Sequence, residues 1–202
     1  LKILKTSKPS VGLRLMYEAG VMEIMFPEIA QMAGVDQRRD HHHKDVFLHT
    51  CIVVDNIAQT TDNVWLRFTA LVHDIAKPRT KAFREGIGWT FHGHEELGAR
   101  MMKGIFRKLR LPMEPLPYVE KLVRFHLRPM VLVDDIVTDS AVRRLVFETG
   151  NDIDDLMKLC RADITSKNPK LVERYLRNYD IVMKKIGEVE EKDRLRNWQP
   201  PV

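Results

Sequence analysis

The chain has 202 residues, 44% of them hydrophobic and 30% charged, which suits one domain, or one domain with a small annex, around a real core. No apolar run approaches the ~20 residues that span a bilayer, and Leu1-Lys2-Ile3-Leu4-Lys5 has no signal-peptide core or cleavage site, so no membrane partner and a cytoplasmic location are expected. The net charge of +5, from 33 basic and 28 acidic residues, permits an anionic ligand such as a nucleotide or RNA but does not demand one.

Helical periodicity dominates from end to end, with no internal repeat and no convincing strand. Ser10 can cap a short helix through Glu18 that ends at Gly20, and a second follows Pro27 and ends near Gly34. Residues 35–45 are polar and read as a linker; within it His41, His42 and His43 read as an exposed turn, with His43 able to reach a site mouth. Asp45 can cap a helix over 46–60, whose apolar face carries Ile52, Val53 and Ile57. Residues 65–76 are apolar nearly all round, which predicts a central buried helix stopped by Pro78. Residues 77–93 read as a loop that allows short extended pieces.

A helix over 94–110 follows, with Glu95 and Glu96 favourable in its first turn. Pro112, Pro115 and Pro117 make a stiff connection to a helix over 118–127, after which Pro129 stands. Asp139 can cap 140–148, closed by Gly150, and Asn151 or Asp152 starts a helix to about Thr165. Pro169 opens a last long helix to about Lys192 with Leu171, Tyr175, Tyr179, Val182 and Ile186 on one stripe, a core pattern that gives the tyrosines no catalytic part. The expected fold is an all-α bundle of about nine helices. Cys51 and Cys160 sit in apolar helical stretches; one disulfide is arithmetically allowed, and two buried thiols are expected.

Chemistry concentrates where a helix should bury something apolar. His49 lies on the inward side of its helix, one turn before Val53. His73 and Asp74 interrupt the central helix near its end, His94 starts a helix, His126 ends one, and Asp163 lies one turn after Leu159 and Cys160. A buried aspartate is costly unless paired or metal-bound. Adjacent residues on a helix point about 100° apart, so His73 and Asp74 can share an ion only if it sits off the helix, with other helices supplying further ligands. His49 and Asp163 are the natural candidates. Imidazole with carboxylate suits a divalent first-row metal with open positions, which polarises a phosphoryl oxygen and acidifies water.

The ordered pattern of His49, His73-Asp74 and Asp163 resembles the HD superfamily of metal-dependent phosphohydrolases. Finer likeness is carried by the stretches His42-His43-Lys44-Asp45-Val46-Phe47-Leu48-His49-Thr50, Leu71-Val72-His73-Asp74-Ile75-Ala76-Lys77-Pro78-Arg79-Thr80, Phe91-His92-Gly93-His94-Glu95 and Leu159-Cys160-Arg161-Ala162-Asp163-Ile164. These are similar to the HD domain of bacterial tRNA nucleotidyltransferases, the CCA-adding enzymes and relatives of bacterial poly(A) polymerase. The upstream Lys8-Pro9-Ser10-Val11-Gly12-Leu13-Arg14-Leu15 and Phe26-Pro27-Glu28 resemble the helical region preceding that domain.

The resemblance implies an HD-domain helical bundle over 46–165, a preceding helical segment and linker over 1–45, and a helical extension over 166–202. It implies binding of a divalent ion (Mg, Mn, Ni, Co, Fe or Zn) by His49, His73, Asp74 and Asp163. His94 and His126 become candidates for a second metal or for the substrate phosphate. Asp74, Lys77 and His94 are the expected catalytic groups, with Lys77 neutralising phosphate; Arg79 and Lys81 are further phosphate candidates or a solvated basic loop. Arg143 and Arg144 can touch RNA or simply face solvent. Ala76 stands where the family often has Gly, a mild departure.

The resemblance implies hydrolysis of phosphomonoesters or 2′,3′-cyclic phosphodiesters of nucleotides or RNA ends, tRNA above all. The alternative is a non-catalytic module that docks tRNA or mediates a homo-oligomer. The paired aspartates after a Gly-rich turn that nucleotidyl transfer needs are not found: Asp134-Asp135 and Asp152-Ile153-Asp154-Asp155 read as caps and surface. With Leu at position 1, the expectation is a chain whose transferase domain lies elsewhere in a longer protein.

Overall fold

The computed structural model describes residues 1–36, 45–134 and 138–197, except for the side chains of 132–134 and of 197. The run His41-His42-His43 and Asp135 lie outside the described residues. The chain order is a 3-10 turn (Ile3–Lys5), α1 (Pro9–Glu18), α2 (Val21–Met25), α3 (Pro27–Ala30), α4 (Val46–Ala58), α5 (Val64–Val72) and α6 (Lys77–Thr80). A two-stranded ribbon follows, β1 (Ala82–Arg84) and β2 (Gly88–Thr90). Then come α7 (His94–Lys108), α8 (Leu116–Phe125), α9 (Arg128–Asp134), α10 (Asp139–Thr149), α11 (Ile153–Ala162) and α12 (Pro169–Asn197).

The fold is all-α, as expected, and the ribbon is the extended piece that the loop after Pro78 allowed. The helical segments the sequence reading passed over, α2, α6 and α9, are short. Pro78 and Pro129 were expected to stop or follow helices; instead each sits in the first turn of the next one. Proline fits there because the amide it lacks would have no intrahelical partner anyway.

Burial of Leu66, Phe68, Ala70, Leu71 and Val72 puts α5 at the centre, packed by α4, α8 and α11. It ends earlier than expected, at Val72. Beyond it Ile75 N donates to Val72 O at 3.1 Å and Lys77 N to Asp74 O at 2.9 Å, so the chain tightens into successive turns before α6. His73 and Asp74 therefore lie in a turn rather than within the helix.

Asp45 caps α4 as expected, accepting from Leu48 N at 2.8 Å, and also accepts from Gly34 N, which ties the end of the α3 turn to α4. Ser10 is not the cap of α1: its amide and hydroxyl donate to Asp55 at 2.9 and 2.6 Å, pinning α1 to α4. Thr138, not Asp139, caps α10, and Asp139 pairs with Lys185 and Lys192 at 2.8 and 3.1 Å. Tyr179, Val182 and Ile186 of α12 are core, whereas Leu171 and Tyr175 are only half-buried. Both cysteines are free and buried, and burial raises the Cys51 thiol to about 11. Among the described residues no helix is long and apolar enough to cross a membrane.

One residue of α5 breaks its apolar character. Arg67 is buried and donates to the carbonyls of Thr61, Leu4, Thr6 and Ala58 at 2.8–3.0 Å, and to Asp62 at 3.0 Å. It staples the N-terminal turn and the α4–α5 connection to the core.

Candidate metal centre

Helix ends deliver the site. His49 comes from the first turn of α4, His73 directly follows α5, and Asp74 is next in the turn. His94 is the first residue of α7, reached through Gly93, whose φ of +77° few side-chain-bearing residues adopt. His126 and Asp163 stand at the C-termini of α8 and α11. Asp163 is half-buried and the other five are buried.

Four imidazoles line up edge to face, His49–His73–His126–His94, with ring centroids 5.7, 5.2 and 5.3 Å apart. Each is anchored through Nδ1. His73 donates to Ala70 O at 2.8 Å, His94 to Phe91 O at 2.7 Å and His126 to Val123 O at 2.7 Å. A carbonyl only accepts, so these Nδ1 atoms carry the proton, and in the neutral ring Nε2 presents its lone pair to the centre. His49 Nδ1 meets Thr165 Oγ1 at 2.9 Å. Carbonyl-anchored imidazoles of this kind orient metal-ligating histidines.

The Nε2 atoms face two carboxylates. His49 and His73 lie 2.8 and 3.4 Å from Asp163 Oδ1. Asp74 sits between the ring pairs: its Oδ2 is 3.2 Å from His73 and 3.6 Å from His49, its Oδ1 3.3 Å from His94 and 3.9 Å from His126. The Nε2 atoms of His73 and His94 are buried with no hydrogen-bond partner, a costly state for a polar atom unless it serves as a ligand. The donor atoms fall into two groups that could each hold a metal ion, His49–His73–Asp163 and Asp74–His94–His126. All four residues expected as metal ligands converge here, with Asp74 grouped alongside His94 and His126.

Burial opposes ionisation of Asp74, but the charges of His73 and Lys77 outweigh it and hold the carboxyl well below the usual range. Asp163 is held low against burial by His49 and His73. Burial would lower His73, yet the two carboxylates raise it to about 10. His126 is pushed down to about 3 by burial and by His73, and so stays neutral. Two ionised carboxylates beside imidazole nitrogens, where a cation would take the place of the proton on His73, form a donor set that suits a divalent ion.

Lys77, in the first turn of α6, places Nζ 2.6 Å from Asp74 Oδ2. Arg79 is exposed on α6, outside the buried cluster, and Lys81 lies over the Trp89 ring. Arg143 pairs with Asp193 at 2.8 Å and Arg144 with Glu148 at 3.1 Å, both on the helix surface. Ala76 is fully buried with an ordinary φ of −92°, so its backbone needs no glycine.

Thr165 was missed by sequence reasoning; the only signal was a hydroxyl residue two places after Asp163. Thr165→Val is expected to weaken divalent-ion affinity roughly 10-fold without unfolding the chain, because a loosened His49 is a poorer ligand. Competition titration against a chromophoric chelator measures this; unchanged affinity would leave Thr165 no part in orienting His49.

A family model described as "HD domain" matches residues 39–168, and one described as "Probable RNA and SrmB- binding site of polymerase A" matches residues 1–32. The chain belongs to the HD domain family. It is 31% identical over 172 residues to the "Multifunctional CCA protein" of Methylococcus capsulatus, covering 80% of this chain and 39% of that protein. It is 29% identical over 164 residues to the "A-adding tRNA nucleotidyltransferase" of Deinococcus radiodurans, covering 80% and 36%. With the "CC-adding tRNA nucleotidyltransferase" of Thermus thermophilus it shares 31% identity over 166 residues, 80% of this chain and 37% of that protein. The chain thus spans under two fifths of the length of these curated relatives.

Proposed function

We propose that the six-residue cluster is the centre of a divalent-metal phosphohydrolase acting on phosphomonoesters or 2′,3′-cyclic phosphodiesters at nucleotide or RNA 3′ ends. The observation that carries this is the set of anchored imidazoles turned on two ionised carboxylates, two of them with unpartnered buried Nε2 atoms. His49, His73 and Asp163 would hold one ion, and Asp74, His94 and His126 a second ion or, through the histidines, the substrate phosphate. A bound divalent ion supplies Lewis-acid polarisation of the phosphoryl oxygen and acidifies a water. Lys77 orients Asp74 and brings a cation to the rim, where it offsets charge on the phosphoryl oxygens. Arg79, exposed beside it, contributes to capture of the anion. The relatives named for tRNA point to tRNA ends as the source of substrate.

Assays of the wild-type chain with Mg, Mn, Fe, Co, Ni and Zn, on nucleoside monophosphates and 2′,3′-cyclic nucleotides, test the reading. Turnover that chelators abolish is expected; inactivity with every ion would overturn it. Metal should also stabilise the fold: at an ion concentration about 100 times Kd, mass action contributes ~2.7 kcal/mol. For a chain of this size the melting temperature should then rise by about 5–10 °C and fall back with EDTA.

A second reading is a non-catalytic module that docks tRNA or pairs copies of the chain within a tRNA nucleotidyltransferase-like protein. It is favoured by the match of residues 1–32 to an RNA-binding family model. Salt-dependent tRNA binding that survives Asp74→Ala, without any hydrolysis, would establish its RNA half. A dimer on sizing columns would establish the other half.

A further inference from the structure

We propose that the β1–β2 ribbon is a stacking platform for the base of a terminal nucleotide whose phosphate lies at the metal centre. The proposal rests on the phosphohydrolase reading and adds what part of the substrate the protein recognises.

Phe83 and Trp89 are directly paired across the ribbon, so their side chains share one face. Their rings meet edge to face, 5.3 Å apart and 75° between planes. A lone two-stranded ribbon is marginal in water, and this pair helps to hold it together. Both rings still meet solvent: Phe83 is 50% exposed and Trp89 40%. The core does not need these side chains, and neither is a candidate metal ligand.

Charge complements the aromatic surface. Lys81, two residues before Phe83 in extended backbone and so on the same face, places Nζ 4.4 Å from the Trp89 ring centroid, and Arg79 is exposed on α6 just before β1. Aromatic rings interleaved with cations are the recurrent means of holding single-stranded nucleic acid: the ring stacks a base and the cations take the phosphates.

The ribbon is also fixed to the centre at both ends. On its entering side α6 carries Lys77, bonded to Asp74. On its leaving side Phe91 O accepts from His94, and the Phe91 ring lies 5.6 Å from Lys77 Nζ. Trp89 is two residues before Phe91, so their Cα atoms lie within roughly 7 Å. A base on Trp89 would then belong to the nucleotide whose phosphate lies beside Lys77 and His94, or to its neighbour.

The test is binding of a short fluorescein-labelled single-stranded RNA to the full chain, with an abasic ribose-phosphate oligomer of the same length and charge as comparison. EDTA is present throughout, so no turnover contributes. Wild type should bind the RNA more tightly than the abasic oligomer. Trp89→Ala should lose about 10-fold in RNA affinity and leave the abasic oligomer unchanged, and Trp89→Phe should restore most of the loss. A wild type that does not distinguish the two oligomers, or a Trp89→Ala variant that matches wild type or weakens both equally, would overturn the proposal. A chain that binds RNA base-dependently but hydrolyses no phosphate ester would overturn the hydrolase reading and leave the platform standing.

Discussion

Asp74→Ala is expected to lower kcat/KM roughly 10³-fold or more and to strip the protein of bound divalent ion. Among the described residues Asp74 is the one carboxylate within 4 Å of all four imidazole Nε2 atoms, its two oxygens reaching opposite ring pairs. Removing it takes one of the two negative charges that a cation at the centre would see, and breaks the 2.6 Å pair with Lys77. Electrostatic stabilisation of a phosphoryl group by an ion is worth several kcal/mol, and each 1.36 kcal/mol is tenfold in rate. Asp74→Asn tests the charge at constant volume and should fall nearly as far. His94→Ala should be milder for metal, because Asp74, whose Oδ2 also reaches His49 and His73, remains with Asp163. Metal analysis beside steady-state kinetics separates these variants; an Asp74→Ala protein that keeps its ion and its turnover would refute the proposed role.

Arg67→Ala is expected to destabilise the fold by about 3–5 kcal/mol, as much as truncating a large core side chain. The guanidinium donates to four carbonyls drawn from the N-terminal turn, the end of α4 and the α4–α5 connection. Without it those acceptors lose their donors, each at a cost of about 1 kcal/mol or more. The Asp62 pair adds little, since that carboxylate is fully exposed. Arg67→Lys should recover only a minor part, because a single ammonium cannot reproduce the planar fork. The melting temperature should drop by roughly 10 °C. A shift within a degree or two would mean that the N-terminal segment contributes little to the fold.

The helices were legible where periodicity was strong and capped: Asp45 announced α4, and the paired stripe of α12 announced its buried half. The end of α5 was not legible, because apolar residues continue through Ile75 and Ala76 while the backbone has already tightened into turns. Prolines misled for a related reason: Pro78 and Pro129 begin helices as readily as they stop them. The convergence of His49, His73, Asp74, His94, His126 and Asp163 was legible because each interrupts an apolar pattern or marks a helix end. Their sorting into two groups was not, since it depends on how α7 and α8 pack against the turn after α5. Arg67 escaped notice because a long side chain on an apolar helix satisfies itself with carbonyls far away in sequence.

The central claim is that the imidazoles and carboxylates enclose a divalent cation. Metal content per chain, measured on protein equilibrated with each of Mg, Mn, Fe, Co, Ni and Zn and then desalted, tests it most directly, with an anomalous diffraction map to place any ion retained. One or two ions per chain are expected, lying between His49, His73 and Asp163 and between Asp74, His94 and His126. No retained ion under any of these conditions, or an ion bound only elsewhere on the chain, would contradict it.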